Sequence, residues 1–181
     1  MRALVTFESV YGNTRAIAEA VGEGLRPIGE VSVVSQDDLT PELTAEAELV
    51  VVGAPTHMHG LPTSFTRRMA AKASEEEGVE VDPSAEAGPG IRTWLSEQSG
   101  EGRAAAAFDT RADKNPALTG SAARGIAKRL RRAGFELTAE PESFFVDDAE
   151  GPLADGELDR ARDWGAAVAR QATSGREEVQ R

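Results

Sequence analysis

The chain has 181 residues, 40% apolar and 28% charged, with no cysteine and a formal net charge of −11. That length fits one domain with a real hydrophobic core, and the missing thiols exclude disulfides, zinc-thiolate sites, iron–sulfur clusters and cysteine nucleophiles. The acidic balance argues against general binding to nucleic acid or anionic membranes, and no apolar run reaches signal-peptide or transmembrane length, so a cytoplasmic protein without membrane contact is expected.

Short Val-rich runs alternate with helical patterns, the signature of a parallel sheet covered on both faces. The first run is Ala3–Phe7. It leads into Phe7-Glu8-Ser9-Val10-Tyr11-Gly12-Asn13-Thr14, a tight turn crowded with hydroxyl, amide and glycine residues. Ile17, Val21 and Leu25 then recur at helical spacing, with Ala16 and Ala20 beside them. Val31–Val34 reads as a second strand and the fully apolar Leu49–Val52 as a third, central one. The loop Ala54–Pro62 is rich in turn formers, after which Thr63 or Ser64 caps a helix carrying Phe65 and Met69.

Residues 74–90 are acidic and rich in Gly and Pro, a flexible insertion rather than a domain boundary because the alternation resumes beyond them. Ile91–Ser96 is a short helix with Trp94 and Leu95 toward the core. Ala104–Phe108 opens a fourth strand ending at Asp109-Thr110-Arg111, and a Ser121–Ala133 helix follows a loop containing Asn115, Pro116 and Gly120. A fifth strand lies within Glu136–Val146, strongest over Ser143–Val146. Leu158, Ala161, Gly165, Val168 and Ala172 mark a final helix. The charged tail 173–181 is expected to fray, leaving a single domain over residues 1–172.

The pattern predicts an α/β fold: a three-layer, doubly wound, five-stranded parallel sheet in the order 2-1-3-4-5. Its ligand crevice then lies outside the carboxyl ends of the first and third strands. The Ser9–Thr14 turn, the 54–62 loop and the 109–120 loop all fall at that rim. Backbone N–H groups converging there, beside the positive end of the first helix, best suit an anion such as a phosphate monoester. Simple N-capping accounts for one of these residues, not for the whole run. No lysine follows a glycine in the turn, which rules out Walker-type nucleotide chemistry. Ser9 lies outside any nucleophile elbow, with no histidine near it in sequence, so no hydrolytic role is expected.

The turn from Ser9 to Thr14, together with Gly53-Ala54-Pro55-Thr56 after the third strand, resembles the flavodoxin-like family of FMN-binding proteins. The resemblance implies FMN as cofactor. By that likeness the Ser9 and Thr14 hydroxyls, the Asn13 side chain and the amides of Val10, Tyr11, Gly12, Asn13 and Thr14 hold its phosphate. Pro55, Thr56, His57, Met58, His59 and Gly60 flank the isoalloxazine, as do Asp109, Thr110 and Arg111. The implied role is electron transfer to a redox partner protein or a small electron acceptor. Short-chain carriers of the family stack aromatic rings on both flavin faces. Here the 54–62 loop offers His57, Met58 and His59, and the 109–120 loop has no aromatic residue. A flavin face open to substrate fits an FMN-dependent NAD(P)H:quinone-type reductase instead, and a binding module that has lost tight flavin binding is the third reading.

His57 and His59, with Asp109, also admit a metal reading. Two histidines at i and i+2 in a loop more often face solvent or contact a ligand, so no metal is expected. Asp109 either belongs to the rim or caps the turn after it. Arg111 either offsets charge on a reduced flavin or is solvated. Arg124, Lys128, Arg129, Arg131 and Arg132 make one helix strongly basic, as a solvated face or as a dock for an acidic redox partner.

Overall fold

The computed structural model describes residues 1–56, 60–63, 65–66, 68–69, 72, 82, 90–114, 120–148 and 151–179. Along the chain run β1 (Arg2–Phe7), α1 (Asn13–Leu25), β2 (Glu30–Ser35), α2 (Pro41–Glu46), β3 (Leu49–Pro55), α3 (Gly90–Ser96), β4 (Ala104–Ala112), α4 (Ala122–Arg132), β5 (Glu136–Leu137), β6 (Glu142–Val146) and α5 (Glu157–Val179). The sheet order is β2-β1-β3-β4-β5, with β6 also on β4, and every named pair is parallel. The doubly wound order expected from the sequence is present.

Alternate residues of each strand feed two separate cores. Ala3, Val5, Phe7, Val51 and Phe108 face α1 and α5, against Ile17, Val21, Leu25, Ala161 and Val168. Leu4, Val50, Val52, Ala105 and Ala107 face the other way, against Ile91, Trp94, Leu95, Ile126 and Leu130. Ala104–Ala107 is a poor strand former by propensity. It is a strand because β3 pairs along one side of it and β5 and β6 along the other. Beside its small side chains, Phe108 meets Phe144 and Trp164 edge-on, with ring centroids 6.0 and 6.1 Å away.

Two glycines set the approach of α1 to α5. A Cβ on Gly24 would stand 2.1 Å from the Arg162 carbonyl oxygen, and one on Gly165 would stand 2.4 Å from that of Val21. The backbones touch where side chains would hold them apart. Arg162 spans the same interface to Glu23 on α1.

The strand expected over Glu136–Val146 is interrupted. Ala105 pairs with Leu137 and Phe108 with Glu142, so three steps along β4 correspond to five on the outer strand. Pro141 lies in the interruption and brings no N–H to the ladder. The last helix runs on to Val179, beyond Thr173 where the tail was expected to fray, and Leu158 of its apolar pattern is 39% exposed. The expected insertion 74–90 lies outside the described residues except for Asp82 and Gly90. No helix among the described residues is long and apolar enough to cross a membrane.

Candidate functional site

β1, β3 and β4 end at one edge of the sheet, and the segments that leave them meet there. Glu8 N donates to the Gly53 carbonyl at 3.1 Å, which starts the first turn in step with β3. The turn closes at Gly12, the N-cap of α1, with φ +80° in the left-handed region. Only glycine adopts that conformation without a Cβ penalty. No side chain caps α1 from this position, and nothing lies within 4 Å of where a Gly12 Cβ would stand. The first amides of a helix have no intrahelical acceptor, so the amino end of α1 needs partners from outside the helix.

Tyr11, Gly12 and Asn13 are half-buried and form the accessible part of the turn, while Ser9, Val10 and Thr14 are buried. Arg15 N donates to Ser9 Oγ at 3.4 Å. Thr14 Oγ1 and Thr110 Oγ1 share a hydrogen bond of 2.7 Å, which brings Thr110 of β4 against the turn. The Asn13 side chain lies beside Gly151, where a Cβ would meet Nδ2 at 2.7 Å and Oδ1 at 2.8 Å.

From outside, Asp82 braces the same turn. Its N–H donates to the Val10 carbonyl at 2.7 Å, and its carboxylate accepts Nε and one Nη of Arg15, both at 2.8 Å. The Arg15 guanidinium also lies 5.2 Å from the Phe7 ring centroid. The hydrogen bond that Arg15 donates to Asp82 raises the Arg15 pKa against the opposing effect of burial, so this cation stays charged.

A second cluster ties the 54–62 loop to α4. Asp109 is fully buried, and its Oδ2 accepts Ser121 Oγ at 2.7 Å, Ala123 N at 2.9 Å and Thr56 Oγ1 at 3.0 Å. Thr56 Oγ1 in turn accepts Ala122 N at 2.8 Å, and Thr56 N donates to the Thr110 carbonyl at 2.9 Å. Asp109 therefore braces the amino end of α4, whose N-cap Ser121 accepts Arg124 N at 3.2 Å. Pro55 completes β3 half-buried beside this cluster. Arg111 is only 8% exposed: its Nη1 donates to the Ala112 and Lys114 carbonyls, and its guanidinium lies 5.0 Å from the Phe145 centroid. It braces its own loop. Gly60 is half-buried, and His57, Met58 and His59 lie outside the described residues. Among the described residues no group of three metal-ligating side chains gathers.

Three positions given no role in the sequence reading shape this rim. Glu8, 4% exposed, accepts Ile91 N at 3.2 Å, and Gln36 Oε1 accepts Gly90 N at the same distance, so together they hold the start of α3. A lone carboxylate ending an apolar strand was the available signal. Asp82 had no such signal, standing 67 residues from Arg15.

An open glycine turn, the amino end of a 13-residue helix whose N-cap residue brings no capping side chain, and flanking hydroxyls make a donor set whose chemistry suits a phosphate ester. The family model for flavodoxin matches residues 5–164, from β1 into α5. The chain belongs to the flavodoxin family. FMN is the cofactor of that family, and flavodoxins exemplify this strand order, with their ligand at the β1/β3 switch point. No protein with a curated description matches the chain. Among solved structures, a flavodoxin from the domain Archaea superposes with a TM-score of 0.65 at 22% identity, over 96% of this chain and 99% of that one. Flavodoxin 2 from Bacillus cereus gives 0.66 at 18% identity, over 94% and 99%. The Flv1 flavodiiron core from Synechocystis gives 0.63 at 16% identity, over 97% of this chain and 36% of that one. At these identities the neighbours show a shared flavodoxin fold.

Proposed function

We propose that this flavodoxin-family protein acts in electron transfer, with the FMN phosphate held at the amino end of α1 and the ring between the loops after β3 and β4. The observation that carries this is the left-handed Gly12 N-cap, which brings no capping side chain of its own and has open space where its Cβ would stand. Bound FMN supplies one- and two-electron redox chemistry.

The protein's part is to bind and orient. The amides of Val10 to Thr14 and the Asn13 side chain are the phosphate donors, aided by the dipole of α1. The buried hydroxyls of Ser9 and Thr14 act from beneath. They fix the turn to Arg15 N and to Thr110 and keep the donors aimed at one point. Thr56 and Asp109 hold the mouth of the 54–62 loop against α4, setting one wall for the ring. His57, Met58 and His59 belong to that wall in this reading. The absence of an aromatic residue from 54–62 and from 109–120 favours, as a second reading, a reductase whose acceptor stacks on the open ring face.

Titration with FMN and riboflavin, followed by flavin fluorescence, tests the phosphate assignment. The double variant Ser9→Ala with Thr14→Ala releases the turn from Arg15 N and from Thr110, so the donors lose their common aim and FMN is expected to weaken by about tenfold or more. Riboflavin, which lacks the phosphate, should change little. Equal losses for both ligands would place the phosphate elsewhere. Turnover with NADH and a quinone separates the two roles: a carrier gives almost none.

A further inference from the structure

The basic stretch of α4 is joined by a cation from another element. Arg92 on α3 donates through Nε to the Pro62 carbonyl at 3.2 Å and through one Nη to that of Leu61 at 2.6 Å. Leu61 lies against α4, 3.8 Å from where a Gly125 Cβ would stand, and Arg129 Nη1 donates to the Gly125 carbonyl at 3.0 Å. Burial, and then the neighbouring charges of Arg92 and Arg132, lower the Arg129 pKa. Among the described residues neither Arg92, Lys128, Arg129 nor Arg132 pairs with a carboxylate, in a chain that carries 31. The helix dipole favours cations in the last turn of α4. It gives no reason for Arg92 to converge on them.

An apolar pair starts next to this cluster. Thr63 and Thr66 bond reciprocally, Thr66 N donating to Thr63 Oγ1 at 3.1 Å and Thr63 N to Thr66 Oγ1 at 2.8 Å, which begins a helical turn just past Pro62. Phe65 and Met69, four residues apart and so on one helix face, are 58% and 54% exposed. Large aromatic and methionine side chains beside arginine match the composition of protein-contact surfaces.

We infer that the Arg92–Arg129–Arg132 cluster, with Phe65 and Met69, docks a protein whose contact surface is carboxylate-rich around an apolar centre. Charge complementarity selects that occupant. Arginine forks pair bidentately with carboxylates, and docking relieves the repulsion among three neighbouring guanidinium groups. The exposed apolar pair adds what a phosphate polymer would not use, and the net charge of −11 opposes a nucleic acid, whose charge is dense and uniform. The surface adjoins the 54–62 loop, so a docked protein stands at the rim, yet docking stands independently of what the rim binds.

The test uses fluorescence anisotropy with three probes at 50 and 200 mM salt. They are a labelled Asp/Glu-rich peptide with two central leucines, polyglutamate of equal charge, and a 20-nucleotide single-stranded DNA. The leucine-containing peptide is expected to bind most tightly and to weaken with salt. Lys128→Glu with Arg132→Glu, both at exposed positions, should weaken it at least tenfold with the thermal midpoint little changed. Phe65→Ser with Met69→Gln should abolish its advantage over polyglutamate. Peptide binding untouched by the charge reversal overturns the inference, as does DNA binding tighter than the peptide. Sedimentation that shows a dimer dissolved by the same reversal would assign the surface to a second copy and overturn it too.

Discussion

Asp109 shows how one side chain holds a rim together. Its Oδ2 serves a hydroxyl from the β3 loop, the Ser121 hydroxyl before α4 and an amide of α4 itself, all within 3.0 Å. Asp109→Ala leaves the Ala123 amide buried and unsatisfied and takes the acceptor from two half-buried hydroxyls, so a loss of about 2–4 kcal/mol is expected in urea denaturation, with the loss shared among neighbours rather than additive. Asp109→Asn retains one carbonyl acceptor and should cost less; equal losses would mean that the site tolerates no amide. Three donors converge on Asp109 from positions 12 to 53 residues away, and no spacing in the chain announces that convergence. Arg111 likewise turns to its own loop and to Phe145, and no spacing in the chain announces that ring.

Between elements, the contact of α1 with α5 rests on Gly24 and Gly165. Gly165→Ala forces a Cβ onto the Val21 carbonyl, so the helices must separate, and a loss of about 1–3 kcal/mol is expected by thermal or chemical unfolding. An unchanged midpoint would show that the interface yields freely. The same interface carries a pH signature. Arg162 holds the Glu23 carboxyl below its usual range, chiefly by hydrogen bonding and then by charge. A carboxylate depressed in the folded state stabilises above its unfolded pKa of about 4.3, and that contribution fades as pH falls through the lower folded value. Melting the wild type beside Glu23→Gln should show the wild type ahead at pH 7 and its lead shrinking as the pH is lowered below the usual carboxylate range. A constant difference across that range would dismiss the pair as the cause. The split of the outer strand into β5 and β6 also belongs here. Pro141 was visible in the sequence, but the two-residue slip in register follows from Glu142–Val146 pairing with the end of β4.

Across the molecule, two cores on opposite faces of one sheet support a rim assembled from three loops, and a ligand that binds only the folded state must stabilise all of it. FMN at 100 times its Kd adds about 2.7 kcal/mol, a rise of roughly 5–10 °C in Tm for a domain of this size. Riboflavin should raise Tm less if the phosphate turn contributes. An FMN-independent Tm would contradict the proposed cofactor site.

Strand and helix order, the central apolar β3, the Thr63 helix start and the Gly12 turn were legible because each rests on local periodicity, or on a residue whose backbone freedom acts where it stands. The flavodoxin likeness followed from the same short turn, and the family match bears it out. Contacts between distant residues were not legible. Thr14 with Thr110 spans 96 positions, Arg15 with Asp82 spans 67, and the arginine cluster joins α3 to α4. Such pairs are set by how the sheet brings its loops to one edge, and side chains that meet only through folding leave no mark in the spacing of either partner.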